Sequence, residues 1–122
     1  GDGSTLMNLG SLGTVGRIMP PNLVIVVWDN EKWAQTGYQA SHTAYGTDLE
    51  SVARATGFEK TKTVSNEEDL DLIFTQALNE PGPWYIVAKI QEQEYLPVAP
   101  VEPEATVHRF RSTFINEDER IG

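Results

Sequence analysis

The sequence has no cysteine at all. That excludes disulfide scaffolds, thiolate zinc sites, iron–sulfur clusters and cysteine nucleophiles together, and it fits a reducing compartment such as the cytoplasm. Basic residues are scarce, nine against 18 acidic, and the net charge is −9. A phosphate-backbone binder needs a clustered Lys and Arg surface, so nucleic acid is excluded as a partner. Long apolar runs are lacking too. The longest, Leu23 to Trp28, is far too short to span a bilayer, and no basic segment followed by an apolar stretch opens the chain as a signal peptide would. Neither a membrane span nor a secretory leader is expected. Repeats and low-complexity blocks are also missing.

What remains is a 122-residue chain with 39% hydrophobic and 22% charged residues, the composition of one globular domain with one real core. The start at Gly1 without a methionine implies a fragment or a processed chain. Residues 1 to 28 carry only Asp2 and Arg17 as charges, which predicts a surface covered on most sides, by the rest of the chain or by a partner.

The pattern predicts a helix over Thr5 to Ile18, with Ser4 placed to cap it and Pro20 and Pro21 ending it. Gly10, Gly13 and Gly16 each cost about 1 kcal/mol of helix propensity, so they mark a face approached by another backbone. Leu23 to Trp28, LVIVVW, reads as a central parallel strand covered on both faces. Thr47 with Glu50 and Ser65 with Glu68 form capping-box patterns ahead of two amphipathic helices, the first stopping at Gly57. Lys60 to Val64 and Trp84 to Ile90 are strand candidates. Helix and strand alternate through residue 90, an α/β domain with a largely parallel sheet and helices on both faces. Residues 91 to 122, with Pro97, Pro100 and Pro103, form a proline-rich arm leading to a short helix around Val107, Phe110 and Phe114.

Ligands of open α/β sheets bind beyond the carboxyl ends of the strands, which directs attention to Asp29 and Asn30 after Trp28. The second candidate is Gly1-Asp2-Gly3-Ser4, a glycine-flanked turn opening into a helix, where free N–H groups favour a phosphate. If the helix packs back onto the sheet, Asp2 and Asn30 emerge at one edge. A carboxylate and an amide oxygen beside a phosphate-binding turn suit magnesium, which prefers a few hard oxygens and completes its octahedron with phosphate and water. Gly-Asp-Gly alone is a common turn.

The separation is more telling. Between Gly3 and Asn30 lie 26 residues filled by a helix and a buried strand. GDG, this spacer and then Asn resemble the signature of the thiamine diphosphate enzymes, in their C-terminal cofactor-binding domain. GSLGTV, the WDN step, the TGYQ loop, TDLESVARATGFEKT and the arm ending in HRF look most similar to the sulfopyruvate and phosphonopyruvate decarboxylase group. The resemblance implies that Asp2 and Asn30 coordinate magnesium through side-chain oxygens and that Lys32 adds its backbone carbonyl. It also implies that Gly1, Asp2, Gly3, Ser4 and Asn30 form the cofactor-binding set, with the Gly3 and Ser4 N–H groups and the Ser4 hydroxyl on the diphosphate. Many members have Asn where this chain has Asp29, and the metal ligand is the second of that pair.

The family's domain carries a further helix and strand ahead of its GDG, and its activating glutamate lies on another domain. The resemblance therefore implies a complementary pyrimidine-binding domain or subunit, a homo- or hetero-oligomer and a small 2-oxoacid substrate. Rival readings are a synthase or oxidoreductase subunit of the same superfamily, or an inactive interaction module with the same fold. Trp33, Tyr38 and Gln39 either line the substrate side or pack as a lid on the core. His42, among small polar residues, reads as a solvated loop residue, and Glu67 to Asp71 as the first turn of an exposed helix.

Overall fold

The structure is a computed structural model that describes residues 1–91 and 102–114. Residues 1–92 form one compact unit and 93–122 a second. In the first, α1 (Asp2–Met7) and α2 (Gly10–Ile18) precede β1 (Val24–Asp29). A two-stranded hairpin of β2 (Lys32–Trp33) and β3 (Gln39–Ala40) follows, then α3 (Leu49–Ala55), β4 (Lys60–Val64), α4 (Glu67–Asn79) and β5 (Trp84–Lys89). In the second unit α5 (Pro103–Phe114) puts Val107, Phe110 and Phe114 at helical spacing, with the two phenyl rings 5.0 Å apart. Pro97 and Pro100, and with them the expected extended arm, lie outside the described residues. No helix among the described residues is long and apolar enough to cross a membrane.

The sheet is parallel, in the order β1-β5-β4. β5 is its middle strand, and Trp84 through Ala88 are all buried. One face of the sheet presents Ile25, Val27, Tyr85 and Val87 to Leu12 of α2, Leu49 and Ala53 of α3, and Phe58. On the other, Val24, Val26, Trp84, Ile86 and Ala88 meet Leu70, Ile73 and Ala77 of α4. The expectation of a central strand at Leu23 to Trp28 is corrected here: among the described strands β1 has one hydrogen-bonded neighbour, and Trp28 remains 48% exposed. A continuous apolar run reports two covered faces and is blind to the order of strands. The strand buried on both faces is WYIVAK.

The single helix expected over Thr5 to Ile18 is two. The first starts earlier, because the Gly1 carbonyl accepts both the Thr5 N–H at 3.1 Å and the Thr5 hydroxyl at 3.0 Å. Ser4 thus sits inside α1 and caps nothing. Asn8 breaks the helix at φ −144°, and its carbonyl takes the Ser11 N–H and hydroxyl to start α2. Of the three glycines, Gly16 meets another backbone: a Cβ there would lie 1.8 Å from the Thr56 carbonyl oxygen, whereas Gly10 and Gly13 have open space. The caps of α3 and α4 fall one residue beyond those expected. Asp48 accepts the Ser51 N–H and Asn66 accepts the Asp69 N–H, since carboxylate and amide acceptors next to Thr47 and Ser65 take the role.

Candidate cofactor site

The start of α1 lies against the carboxyl end of β1. A Cβ on Gly1 would come within 3.5 Å of the Trp28 carbonyl oxygen, so the chain passes close to the last turn of the strand. Asp2 and Asp29, both 2% exposed, are brought to a single hydroxyl: Thr43 Oγ1 lies 2.8 Å from Asp29 Oδ1 and 3.3 Å from Asp2 Oδ2. Ser41, fully buried, donates to Asp2 Oδ2 at 2.6 Å and lies 2.8 Å from the Thr43 hydroxyl.

Two successive side-chain turns shape the segment after β1. Asp29 Oδ1 accepts the Glu31 N–H at 3.0 Å and Asn30 Oδ1 accepts the Lys32 N–H at 3.2 Å, the short-range bonding that Asp and Asn favour at turns. Glu31 takes a positive φ of 61° between them. The hairpin then doubles back, with Lys32 opposite Ala40 and Trp33 opposite Gln39, and the Ser41 N–H returns to the Glu31 carbonyl at 2.9 Å. This fold-back carries Ser41 and Thr43 to Asp2.

Gly3 is set by packing as well as by its place in the motif. A Cβ on it would lie 2.7 Å from Trp33 Cε3, so the indole occupies the space that any side chain would need. Trp33 also meets the His42 ring edge-on at 6.2 Å. It therefore packs over the start of α1. His42, Tyr38 and Gln39 are exposed, and Gln39 bonds within its own loop, to Thr36.

The two carboxylates differ in their electrostatics. Lys89, at the end of β5 and in register with Asp29, places Nζ 2.8 Å from Asp29 Oδ2 and 2.7 Å from Glu31 Oε1. Partial burial works against the Lys89 charge, but its hydrogen bonds to the two acids prevail and hold its pKa above the ordinary value. Asp2 receives hydroxyls at Oδ2, and among the described residues no ion pair reaches it. Beneath the site, burial pushes the Tyr85 phenol up to about 12, with the Asp29 charge adding to the effect, so this residue stays neutral in the core.

The sequence-predicted residues thus divide. Gly1, Asp2 and Gly3 stand at the mouth of the sheet beside Asp29, with Asn30 and Lys32 on the turn that leaves it, and Ser4 is exposed on the first turn of α1. Three residues of the constellation escaped the sequence reading: Ser41, Thr43 and Lys89. The alternation Ser-x-Thr after a hairpin and a lone lysine closing an apolar strand are the available signals, and both gain meaning only from pairings 14 or more residues away in the chain.

The candidate donors are oxygens: the Asp2 carboxylate, which among the described residues no ion pair reaches, and the Asn30 amide. Among the described residues no group of three or more His, Asp or Glu side chains could hold a metal. That set suits a hard cation that takes its remaining ligands from phosphate and water. The family model described as the thiamine pyrophosphate enzyme C-terminal TPP binding domain matches residues 1–88. The chain belongs to that family.

Its relatives narrow the comparison. The sulfopyruvate decarboxylase subunit beta of Methanocaldococcus jannaschii is 44% identical over 89 residues, covering 73% of this chain and 47% of that protein. The same subunit of Methanococcus maripaludis is 40% identical over 111 residues, 90% of this chain and 59% of the relative. The phosphonopyruvate decarboxylase of Streptomyces viridochromogenes is 37% identical over 114 residues, 92% and 28% respectively. The chain spans about half the length of the sulfopyruvate decarboxylase subunits it matches.

Proposed function

We propose that this chain is the magnesium- and diphosphate-binding part of a thiamine diphosphate-dependent 2-oxoacid decarboxylase acting on sulfopyruvate or phosphonopyruvate. The observation that carries the reading is the convergence of Asp2 and the β1 exit on one hydroxyl, which sets the GDG turn beside Asn30 at the sheet's carboxyl end. The decarboxylase names of the relatives support the reaction class.

On this reading Asp2 and Asn30 hold the ion with side-chain oxygens and Lys32 with its carbonyl. α1 has only six residues, so its macrodipole is small. Diphosphate binding then falls on the individual N–H groups of Gly3 and Ser4, which lack helical partners at a helix start, on the Ser4 hydroxyl, and on the ion. Gly3 lets this turn sit against the Trp33 ring, where a Cβ would lie 2.7 Å from Cε3. Bound thiamine diphosphate supplies the nucleophilic carbon and the electron sink that release of carbon dioxide from a 2-oxoacid requires. The protein's share is orientation and charge: the ion and the helix start fix one end of the cofactor, while a complementary pyrimidine-binding domain or subunit fixes the other.

Decarboxylation assays of the chain assembled with its complementary domain test this. Carbon dioxide release from sulfopyruvate or phosphonopyruvate, dependent on thiamine diphosphate and abolished by Asp2→Ala, is the expected result. Turnover of neither acid by an assembly that binds the cofactor would overturn the substrate class.

A further inference from the structure

We infer that Ser41 and Thr43 are positioning residues for the cation, holding the Asp2 carboxylate in place by neutral hydrogen bonds that leave its charge available. The inference rests on the reading of Asp2 as a magnesium ligand and goes beyond it, since neither residue belongs to the GDG-to-Asn pattern.

The two hydroxyls are buried and sit between two buried carboxylates, and both of their contacts to Asp2 fall on Oδ2. Among the described residues no side-chain or backbone donor reaches Asp2 Oδ1. One oxygen of the carboxylate is thus fastened and the other left for a ligand role. The chemistry of the fastening is the decisive feature. A lysine at either position would hold Asp2 equally well, but would cancel its charge and compete with an incoming cation. The same site shows that alternative in its neighbour: Asp29 has its Oδ2 taken by Lys89 and its Oδ1 by the Glu31 N–H, with the shared Thr43 hydroxyl 2.8 Å from Oδ1. Asp29 is paired with a cation, whereas among the described residues Asp2 is oriented by hydroxyls alone.

Thr43 ties the two together. Two hydroxyl protons serve four oxygen contacts, three of 2.6 to 2.8 Å and one, Thr43 to Asp2, of 3.3 Å; Thr43 gives its proton to one acceptor at a time, so its direction is coupled to that of Ser41 and to Asp29. Groups that orient a metal ligand without touching the metal change affinity by about 10- to 100-fold when removed.

The test is a magnesium titration of the assembled protein at fixed thiamine diphosphate, followed by calorimetry, with thermal unfolding of each metal-free variant in parallel. Ser41→Ala and Thr43→Val should weaken magnesium about 10-fold or more. Thr43→Ser, which keeps the hydroxyl, should stay within about twofold of the parent on the same grounds. If Ser41→Ala does not fold, the near-isosteric Thr43→Val and its serine rescue decide alone. Parent-like magnesium affinity in the hydroxyl-deleted variants, with or without a loss of thermal stability, overturns the inference while Asp2→Ala still abolishes the magnesium dependence. If Asp2→Ala also titrates like the parent, the metal-site reading fails and takes this inference with it.

Discussion

Lys89 and Asp29 end adjacent parallel strands in register and meet through a 2.8 Å ion pair at the mouth of the sheet. On the proposed reading, this pair accounts for an aspartate standing directly before Asn30 without serving as a metal ligand. Its Oδ2 faces Lys89, which it shares with Glu31, and its other oxygen closes the turn that leads to Asn30. Two adjacent residues at one strand end thereby take different tasks.

Breaking that pair from one side should be costly. Loss of one partner of a buried pair removes roughly 3–5 kcal/mol, and because Lys89 is 35% exposed the expected cost of Lys89→Met is about half of that. Asp29→Asn combined with Lys89→Met should recover much of it, since the buried Asp29 carboxylate that the single change leaves without its cation is then gone. Urea denaturation of the two singles and the double measures the coupling. The pH dependence has a definite sign. Lys89 titrates above its ordinary 10.5, so the pair's contribution is fully present below about 10.5 and is lost as pH rises through the higher folded value. The gap between parent and Lys89→Met should be flat around neutrality and close in strong alkali.

The glycines of the first two helices should respond in opposite directions to alanine. Gly13 has open space around its position, so Gly13→Ala should stabilise by up to about 1 kcal/mol through helix propensity. Gly16 faces the Thr56 carbonyl at 1.8 Å from a would-be Cβ, and backbone yields poorly, so Gly16→Ala should cost about 3 kcal/mol or more. Thermal unfolding of the two variants, side by side, checks this. Gly3→Ala should displace the Trp33 ring and shift tryptophan fluorescence, because the indole occupies that space.

Asp48 offers an acid-side test. Its hydrogen bonds from the Ser51 hydroxyl and N–H hold the carboxyl below its ordinary 3.8, so the cap's contribution is present above that value and is lost as pH falls below it. Asp48→Ala should cost about 1 kcal/mol at pH 7, and the difference should fade below pH 3.8. Equal loss at pH 3 and pH 7 in denaturant titrations would argue against the capping role.

The existence and type of most elements were legible from periodicity and turn residues alone. β4, α3, α4 and β5 follow from apolar spacing and a flanking acceptor, and the candidate ligands Asp2 and Asn30 from motif spacing. Exact caps were not, because Thr47 and Asp48, or Ser65 and Asn66, are adjacent groups that can each accept an N–H, and only the backbone angle chooses between them. The break at Asn8 depends on a carbonyl shared with Ser11, which no periodicity shows. Strand order, and with it the position of β1, is a tertiary property. Ser41, Thr43 and Lys89 were hidden for the same reason, since each acts on a residue far away in the chain.

Magnesium is the centre of the proposed site, and Asn30→Ala addresses it most directly, because the change removes a proposed oxygen ligand without altering charge. Asp29→Asn is the fitting companion; Asp29→Ala would also open the buried network around Lys89 and Thr43. Calorimetry of thiamine diphosphate binding to the assembled protein, with magnesium and with chelator, should show Asn30→Ala weakened about 10-fold or more with magnesium and unchanged without it. Asp29→Asn should retain the magnesium dependence. Parent-like binding by Asn30→Ala in magnesium would contradict the account.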